Sequence, residues 1–291
     1  MSVRDPTPEP SNPLGLDGIE FIEYATSRPQ EFGSLLEKMG FSAVARHRSR
    51  EVFLYRQGSM NLIVNAHPDA LPGLSSPVST PALAAIALRV RDAAYAHRRA
   101  LELGAWDMPT RASAMELNIP GIHGVGDSLV YFVDRHGDFS IYDVDFVPIA
   151  GADPRPPAIA GLHYFGVVQA ILVGRTAEWL DFYRGLFGFS VLPQGQYFGV
   201  LPRGTLLESP CRKFYLQLIE PPLGSEEIHW DEALVRLGIG ARNVPAATRA
   251  LKERGIAFVD RGPVQPSEKG ALTQAYLGGV NFELVVSHLK P

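Results

Sequence analysis

The chain of 291 residues is long enough for two domains, each with a substantial core, since one domain commonly takes about 100 to 200 residues. Apolar residues make up 46% of it and charged residues 20%, and the net charge is −4; these values exclude a disordered chain and give no sign of a nucleic-acid partner. With one cysteine, Cys211, and no signal-peptide pattern at the N-terminus, an intramolecular disulfide is excluded and a cytoplasmic location is expected.

The N-terminal half is predicted to contain two successive modules of one type. Residues 1–14 hold four prolines and no apolar period, which is typical of a flexible lead-in. The strand and helix patterns that follow give the order βαβββ, and the same order then starts again with a strand, a helix and later strands. The predicted elements of the first module are a strand over 18–24, a helix over 30–39 and strands over 43–47, 52–57 and 62–65; those of the second are a strand over 83–90, a helix over 93–103 and strands over 129–133 and 140–146.

The same pattern restarts after residues 149–160, a proline- and alanine-rich stretch that we interpret as a linker. A strand is predicted over 162–173, followed by a helix over 177–186. The apolar run within that strand, 165–173, is about half the length that crosses a membrane. It therefore predicts a buried strand and no membrane contact.

Glycines at helix ends repeat with a nearly constant offset. Gly40 and Gly188 are 148 residues apart, and Gly104 and Gly255 are 151 residues apart, each just after a predicted helix. An internal repeat of this length indicates two homologous halves. We therefore divide the chain into a flexible N-terminus (1–14), an N-terminal domain (15–148), the linker (149–160) and a C-terminal domain (161–291).

Longer sequence runs in both halves point to a known family. The N-terminal runs are GIEFIEYA (18–25), ARHRSR (45–50), MELNIPGIHGVG (115–126) and SIYDVDFV (140–147), and the fainter C-terminal runs are WLDFYRGLFGF (179–189) and VNFEL (280–284). Together they resemble the bacterial 4-hydroxyphenylpyruvate dioxygenase family, which belongs to the vicinal-oxygen-chelate superfamily. The resemblance implies an α+β fold, in which tandem βαβββ modules pair into two barrels with helices covering the outside.

The resemblance also implies chemistry in the C-terminal domain. The family holds non-haem Fe(II) with two histidines and one carboxylate, which leaves coordination positions for a 2-oxo acid and dioxygen. Glu283, in VNFEL, stands at the position of the ligand glutamate, and Gln274 matches the family's substrate-side glutamine. The two histidine positions fall on Gly166 and Arg236, whose side chains do not bind iron.

Two interpretations of these departures stay open. In the first, a shifted register returns His163 and His229 to Glu283 and restores an Fe(II) site, although positions three apart in a regular strand face opposite sides. In the second, Arg236 forms a buried ion pair with Glu283, near Gln274, and its guanidinium meets a ligand carboxylate by a two-pronged hydrogen bond.

Three functional hypotheses follow. In the favoured one, the protein binds or transforms a small aromatic acid or 2-oxo acid without a metal, as a binder or a repurposed lyase or isomerase, through Glu283, Gln274 and Arg236. The second is a working Fe(II) dioxygenase of the 4-hydroxyphenylpyruvate type with shifted histidines. The third is a non-catalytic structural relative. Gly204 and Ile219, where the family has polar residues, weigh against the dioxygenase.

The N-terminal domain offers little chemistry that is visible in the sequence. Its positions matching the iron ligands hold Ala85 and Asp143, and Glu20 and Glu23 on its first strand are spaced to face opposite sides. We interpret this domain as a scaffold and as a surface for homo-oligomer formation.

Overall fold

Two mixed β-sheets, one from each half of the chain, carry the helices of the structure. The computed structural model describes residues 11–67, 80–109, 117–193, 199, 204–221, 230–260 and 265–289. Within these residues, strands between Leu16 and Pro148 form one sheet and strands between His163 and Val286 form the other. The expected α+β class is confirmed.

Eight of the described strands form the first sheet: β1 (Leu16–Ala25), β2 (Ser42–His47), β3 (Val52–Gln57), β4 (Met60–Asn65), β5 (Ala82–Val90), β6 (Gly121–His123), β7 (Leu129–Val133) and β8 (Phe146–Pro148). Their spatial order is β6-β7-β5-β1-β4-β3-β2-β8. Seven form the second sheet: β9 (His163–Ala170), β10 (Ser190–Val191), β11 (Thr205–Glu208), β12 (Tyr215–Ile219), β13 (Ala233–Ala241), β14 (Gly270–Leu272) and β15 (Phe282–Val286). Their order is β10-β11-β12-β9-β13-β15-β14.

The helices lie between strands in the chain order. The first sheet is accompanied by α1 (Pro29–Lys38), α2 (Ala93–Glu102) and α3 (Ile141–Asp145), and the second by α4 (Thr176–Phe182) and α5 (Val244–Glu253). A π-helical turn, Tyr183–Phe187, continues α4. In the described part of the chain, no helix is both long enough and apolar enough to cross a membrane.

The two sheets follow one plan. β1 pairs in parallel with β4 and antiparallel with β5, and β9 pairs in the same way with β12 and β13. β5 and β13 then pair in parallel with β7 and β15. This agreement supports the internal repeat. Each spatial order has two ends, so the described strands form open sheets rather than closed barrels.

Local signals explain where several helices begin and end. The Asp92 side chain accepts a hydrogen bond from the Tyr95 N–H at the start of α2, and the Asn243 side chain accepts one from the Ala246 N–H at the start of α5. Gly188, after the π-helical turn, has a φ of 77°, a conformation that glycine adopts without strain. Side-chain caps and glycine conformation therefore explain the helix boundaries in each half.

The segment 140–146, expected as a strand, begins instead as the helix α3. The backbone N–H and the hydroxyl of Ser140 both donate to Asp143 Oδ2, at 2.7 and 2.8 Å, which fixes the start of a helix. These bonds hold the pKa of Asp143 below its usual value. Asp143, at the position matched to an iron ligand, therefore lies in a helix and caps its start.

A one-residue bulge in β1 changes the side-chain alternation of that strand. Residues 19 and 21 pair with positions 88 and 87 of β5, so Glu20 is the extra residue. Its carboxylate accepts hydrogen bonds from Arg89 Nε at 2.5 Å and Asn61 Nδ2 at 3.2 Å. Glu23 pairs with residue 85 of β5 and with residue 63 of β4. Arg89 and Asn61 are an even number of residues from those positions, so their side chains lie on the same face of the sheet as Glu23. The expectation that Glu20 and Glu23 face opposite sides is wrong for this reason.

β9 carries a similar bulge. Gly166 pairs with residue 238 of β13 and residue 164 with 239, which leaves Phe165 as the extra residue. His163 pairs with residue 240, two residues beyond 238, so it shares a face with Gly166. Side-chain alternation therefore does not exclude His163 as a metal ligand beside Glu283. Whether the two residues can share a metal depends on the distance between them.

One continuous apolar core lies between the sheets. Buried residues of both halves belong to a single cluster, and β5 packs against β13. The rings of Tyr24 and Phe282 meet at 6.4 Å, and the Tyr164 hydroxyl donates to the Asn61 carbonyl oxygen. The other face of the first sheet holds a smaller cluster around Phe21, next to a cavity.

Candidate functional site

The three positions that the resemblance assigns to iron ligands lie on adjacent strands of the second sheet. Glu283 of β15 pairs with Gly238 of β13, and Gly238 pairs with Gly166 of β9. Arg236 precedes Gly238 by two residues and therefore belongs to the same face. Gly166, Arg236 and Glu283 consequently share one face of the sheet.

Arg236 and Glu283 form the buried ion pair that the sequence suggested. Nη1 of Arg236 lies 3.2 Å from Glu283 Oε2, and its Nε donates to Asn281 Oδ1 at 3.0 Å. The side chains are 12% and 4% exposed, so the guanidinium balances a carboxylate with little access to water. Nη2 of Arg236 has no hydrogen-bond partner within the described residues.

Gly166 occupies a place where no side chain fits. A Cβ atom on this residue would overlap the backbone carbonyl oxygen of Tyr215, on the paired strand β12. The Phe165 ring stacks on Tyr215, with centroids 4.8 Å apart. The cavity that these residues line beside Glu283 measures only about 20 Å³, far below the about 300–1,000 Å³ of ligand pockets.

His163 is buried further along the same face. Its Nδ1 donates to the Gly161 carbonyl oxygen at 3.0 Å, and its Nε2 lies 2.9 Å from Ser287 Oγ. Ser287 is four residues beyond Glu283, or roughly 13 Å at about 3.3 Å per strand residue. Burial lowers the pKa of His163 and favours the neutral ring. His163 thus does not join Glu283, and His229 lies outside the described residues.

The other positions that the resemblance points to do not take part in the ion pair of Arg236 and Glu283. β14 ends at Leu272, which is the residue opposite Glu283, whereas Gln274 follows the strand and is exposed. Among the described residues, no hydrogen bond joins Gln274 to Arg236 or Glu283. Gly204 has a φ of 106°, which a side chain would strain, and Ile219 ends β12.

The described residues do not fit the Fe(II) triad that the resemblance implies. Of the three positions only Glu283 has a ligand side chain, and its Oε2 is bonded to Arg236. Within the described ranges, no group of three or more His, Cys, Asp or Glu side chains is placed to hold a metal ion. A guanidinium fixed beside the carboxylate also repels a dication.

Sequence reasoning missed a larger cavity in the N-terminal domain. Its volume is about 370 Å³, and Glu23, Arg50 and Tyr131 are among its lining residues. These residues come from segments far apart in the chain, so no local pattern marks them as neighbours. The available signal was Glu23, an acidic residue within an otherwise apolar stretch of strand.

Comparisons with known proteins find several 4-hydroxyphenylpyruvate dioxygenases among the relatives, together with proteins of other names, such as the 3-dehydroshikimate dehydratase of Pseudomonas aeruginosa, 35% identical over 84% of this chain and 40% of that protein. The family model "Hydroxyphenylpyruvate dioxygenase, HPPD, N-terminal" matches residues 11–147. The chain is 41% identical over 217 residues to the 4-hydroxyphenylpyruvate dioxygenase of Pseudomonas sp. (strain P.J. 874), which covers 74% of this chain and 60% of that protein. It is 30% identical over 264 residues to the Pseudomonas aeruginosa enzyme of the same name, covering 86% of this chain and 73% of the relative.

A solved structure resembles the fold along almost its whole length. A mutant of 4-hydroxymandelate synthase from Streptomyces coelicolor superposes with a TM-score of 0.69 over 95% of this chain and 94% of that one, at 16% identity. At this identity the likeness concerns the fold alone.

Proposed function

The chain belongs to the 4-hydroxyphenylpyruvate dioxygenase family, and from that premise we propose that it is a metal-free member that binds a small aromatic acid or 2-oxo acid in its C-terminal domain. The observation that carries the proposal is the ion pair between Arg236 and Glu283, in which a guanidinium lies where an iron site would need an imidazole. The closed position at Gly166 supports it, since that strand cannot accept a second ligand side chain without moving its neighbour.

Arg236 is the group that recognises the ligand in this proposal. A guanidinium presents its donors in a rigid fork, so Nη2 can donate to a ligand carboxylate while Nη1 and Nε keep Glu283 and Asn281. The cavity beside the pair is small, so the ligand ring must displace Phe165 or a neighbour to enter. We therefore expect weak binding.

Iron content tests the metal-free part of the proposal. Protein purified with Fe(II) present should contain well below one equivalent of iron and should not raise oxygen consumption with 4-hydroxyphenylpyruvate above the control without enzyme. About one equivalent of iron, lost on Glu283→Ala, together with oxygen uptake, would establish the alternative, a dioxygenase with shifted histidines. Loss of 4-hydroxyphenylpyruvate without oxygen uptake would instead indicate a lyase or isomerase.

Calorimetry with 4-hydroxyphenylpyruvate tests the role of Arg236. Arg236→Ala should weaken binding at the C-terminal domain at least tenfold, because the ligand carboxylate loses its charged donor. Arg242→Ala is the matched control, since Arg242 is an exposed arginine near the end of the same strand. Equal affinities of the unmodified protein and Arg236→Ala would remove the proposed role.

A further inference from the structure

We propose that the N-terminal domain contains a second binding site, for aromatic carboxylates with one ring, in the cavity that lies over the face of β1, β4 and β7 next to α3. This proposal does not rest on the function of the C-terminal domain. The cavity of about 370 Å³ falls within the about 300–1,000 Å³ typical of ligand pockets, whereas only about 20 Å³ is open beside Glu283. Of these two cavities, both lined by described residues, the one in the predicted scaffold has the room for a small molecule.

Two pairs of aromatic side chains form part of the cavity wall. Phe21 and Tyr131, from β1 and β7, have ring centroids 5.9 Å apart, and Tyr142 and Phe146, from α3 and the start of β8, have centroids 5.8 Å apart. Aromatic pairs favour centroid separations of about 4.5–7 Å, so a ligand ring can contact such walls edge to face or offset. The wall therefore favours a flat, apolar ring as the body of the ligand.

A polar group of residues, Glu23, Asn65 and Arg50, lines one part of the same cavity. Glu23 Oε1 accepts a hydrogen bond from Asn65 Nδ2 at 2.8 Å, and the Arg50 charge acts on the Glu23 carboxyl. Burial raises the pKa of Glu23 and outweighs both of these effects. Arg50 brings a guanidinium to this part of the cavity wall, and a guanidinium forms charge-assisted hydrogen bonds with a carboxylate.

The remaining titratable groups of the cavity are His47, His123, Asp145 and the two tyrosines already described. His47 Nδ1 accepts a hydrogen bond from the Ser49 N–H at 3.2 Å, so the proton of the neutral ring lies on Nε2, which is a donor. Both Asp145 oxygens accept from the Leu117 N–H, at 3.2 and 3.3 Å, so this carboxylate is engaged with the backbone. Donors on Arg50 and His47 thus complement a ligand carboxylate better than an ammonium group.

Size and chemistry together define the ligand class. Arg50 and His47 offer hydrogen-bond donors to one carboxylate, and the aromatic wall offers contact to one ring. Because the distance between the carboxylate and the ring is set by the ligand, we choose three probes with increasing spacing: benzoate, phenylacetate and 3-phenylpropionate.

Methyl NMR of the full chain locates the binding site without any substitution. Titration with the three probes should shift the methyl signals of Ile63 and Leu129, which line the N-terminal cavity, for at least one probe. Shifts confined to Val285, beside Glu283, would place binding in the C-terminal domain and overturn the proposal. Absence of shifts at Ile63 and Leu129 with all three probes would overturn it as well.

Arg50→Ala tests the charged contact. We expect at least a tenfold loss of affinity for the best probe in calorimetry, and no loss with Arg48→Ala, an exposed arginine two residues away that does not line the cavity. Arg236→Ala should leave the N-terminal shifts unchanged, which separates failure of this site from failure of the C-terminal proposal. Benzylamine, a cation of similar size, should bind at least tenfold more weakly than the best probe; tighter binding of benzylamine would contradict the assignment of an anion.

Discussion

At the scale of single residues, the ion pair of Arg236 and Glu283 makes each partner dependent on the other. Removing one partner of a buried pair leaves an uncompensated charge, which typically costs about 3–5 kcal/mol, whereas replacing both by apolar residues is often neutral. Arg236→Met should therefore lower the free energy of unfolding by about 3–5 kcal/mol. Arg236→Met combined with Glu283→Leu should restore most of that loss, as measured by urea denaturation. Additive losses in the double variant would mean that the two charges do not stabilise each other.

The burial of Glu23 predicts a pH effect on stability. Its pKa is raised in the folded chain, so the folded state holds the proton more tightly, and its contribution to stability is lost as pH rises from about 4.5 through the folded pKa. Glu23→Gln removes this loss and keeps an oxygen that can accept from Asn65. We expect the variant to have a higher melting temperature than the unmodified protein at pH 7.

The difference in melting temperature between Glu23→Gln and the unmodified protein should shrink as the pH approaches 4. Glu51→Gln, at an exposed position, serves as the control and should show no such trend. A Glu23→Gln melting temperature at or below that of the unmodified protein at pH 7 would show that the charged form is well stabilised in the fold.

At the scale of strands and helices, the pairing of β9 with β12 restricts residue 166 to glycine. A Cβ atom at Gly166 meets the backbone of β12, which cannot move without breaking the pairing of β9 and β12. Gly166→Ala should lower the free energy of unfolding by about 1–3 kcal/mol or more, as overpacked positions do. Gly137→Ala is the matched control, because a Cβ atom there would contact nothing. Equal urea midpoints for the two variants would show that the paired strands adapt.

The strands and helices also show what the sequence could predict. Helix ends at Gly40 and Gly188 depend on neighbours within one turn, so local patterns identified them. The ion pair was predictable because the resemblance supplied the strand register and both partners are charged residues in apolar strands. The bulges in β1 and β9 were not, because an extra residue is defined only by pairing with another strand. The N-terminal cavity was missed for a similar reason.

At the scale of the whole molecule, the continuous core predicts that the two halves unfold together. Buried side chains of β5 and β13 belong to one apolar cluster, so opening one half exposes the core of the other. In hydrogen-exchange mass spectrometry, the most protected amides of β4 and of β13 should give equal opening free energies within about 1 kcal/mol. Two distinct levels of opening free energy, one for each half, or two separate transitions in urea, would show that each half is stable by itself.

The bulges of β1 and β9 bear on the ancestry of the fold. The bulge in β1 lies opposite the peptide step between residues 87 and 88 of β5, and the bulge in β9 lies opposite the step between residues 238 and 239 of β13. These two steps are 151 positions apart in the sequence. The same offset separates Gly104 from Gly255. An irregularity that recurs at equivalent places is most simply inherited. We infer that the bulge already existed in the ancestral half-length protein, before gene duplication joined two copies of that protein.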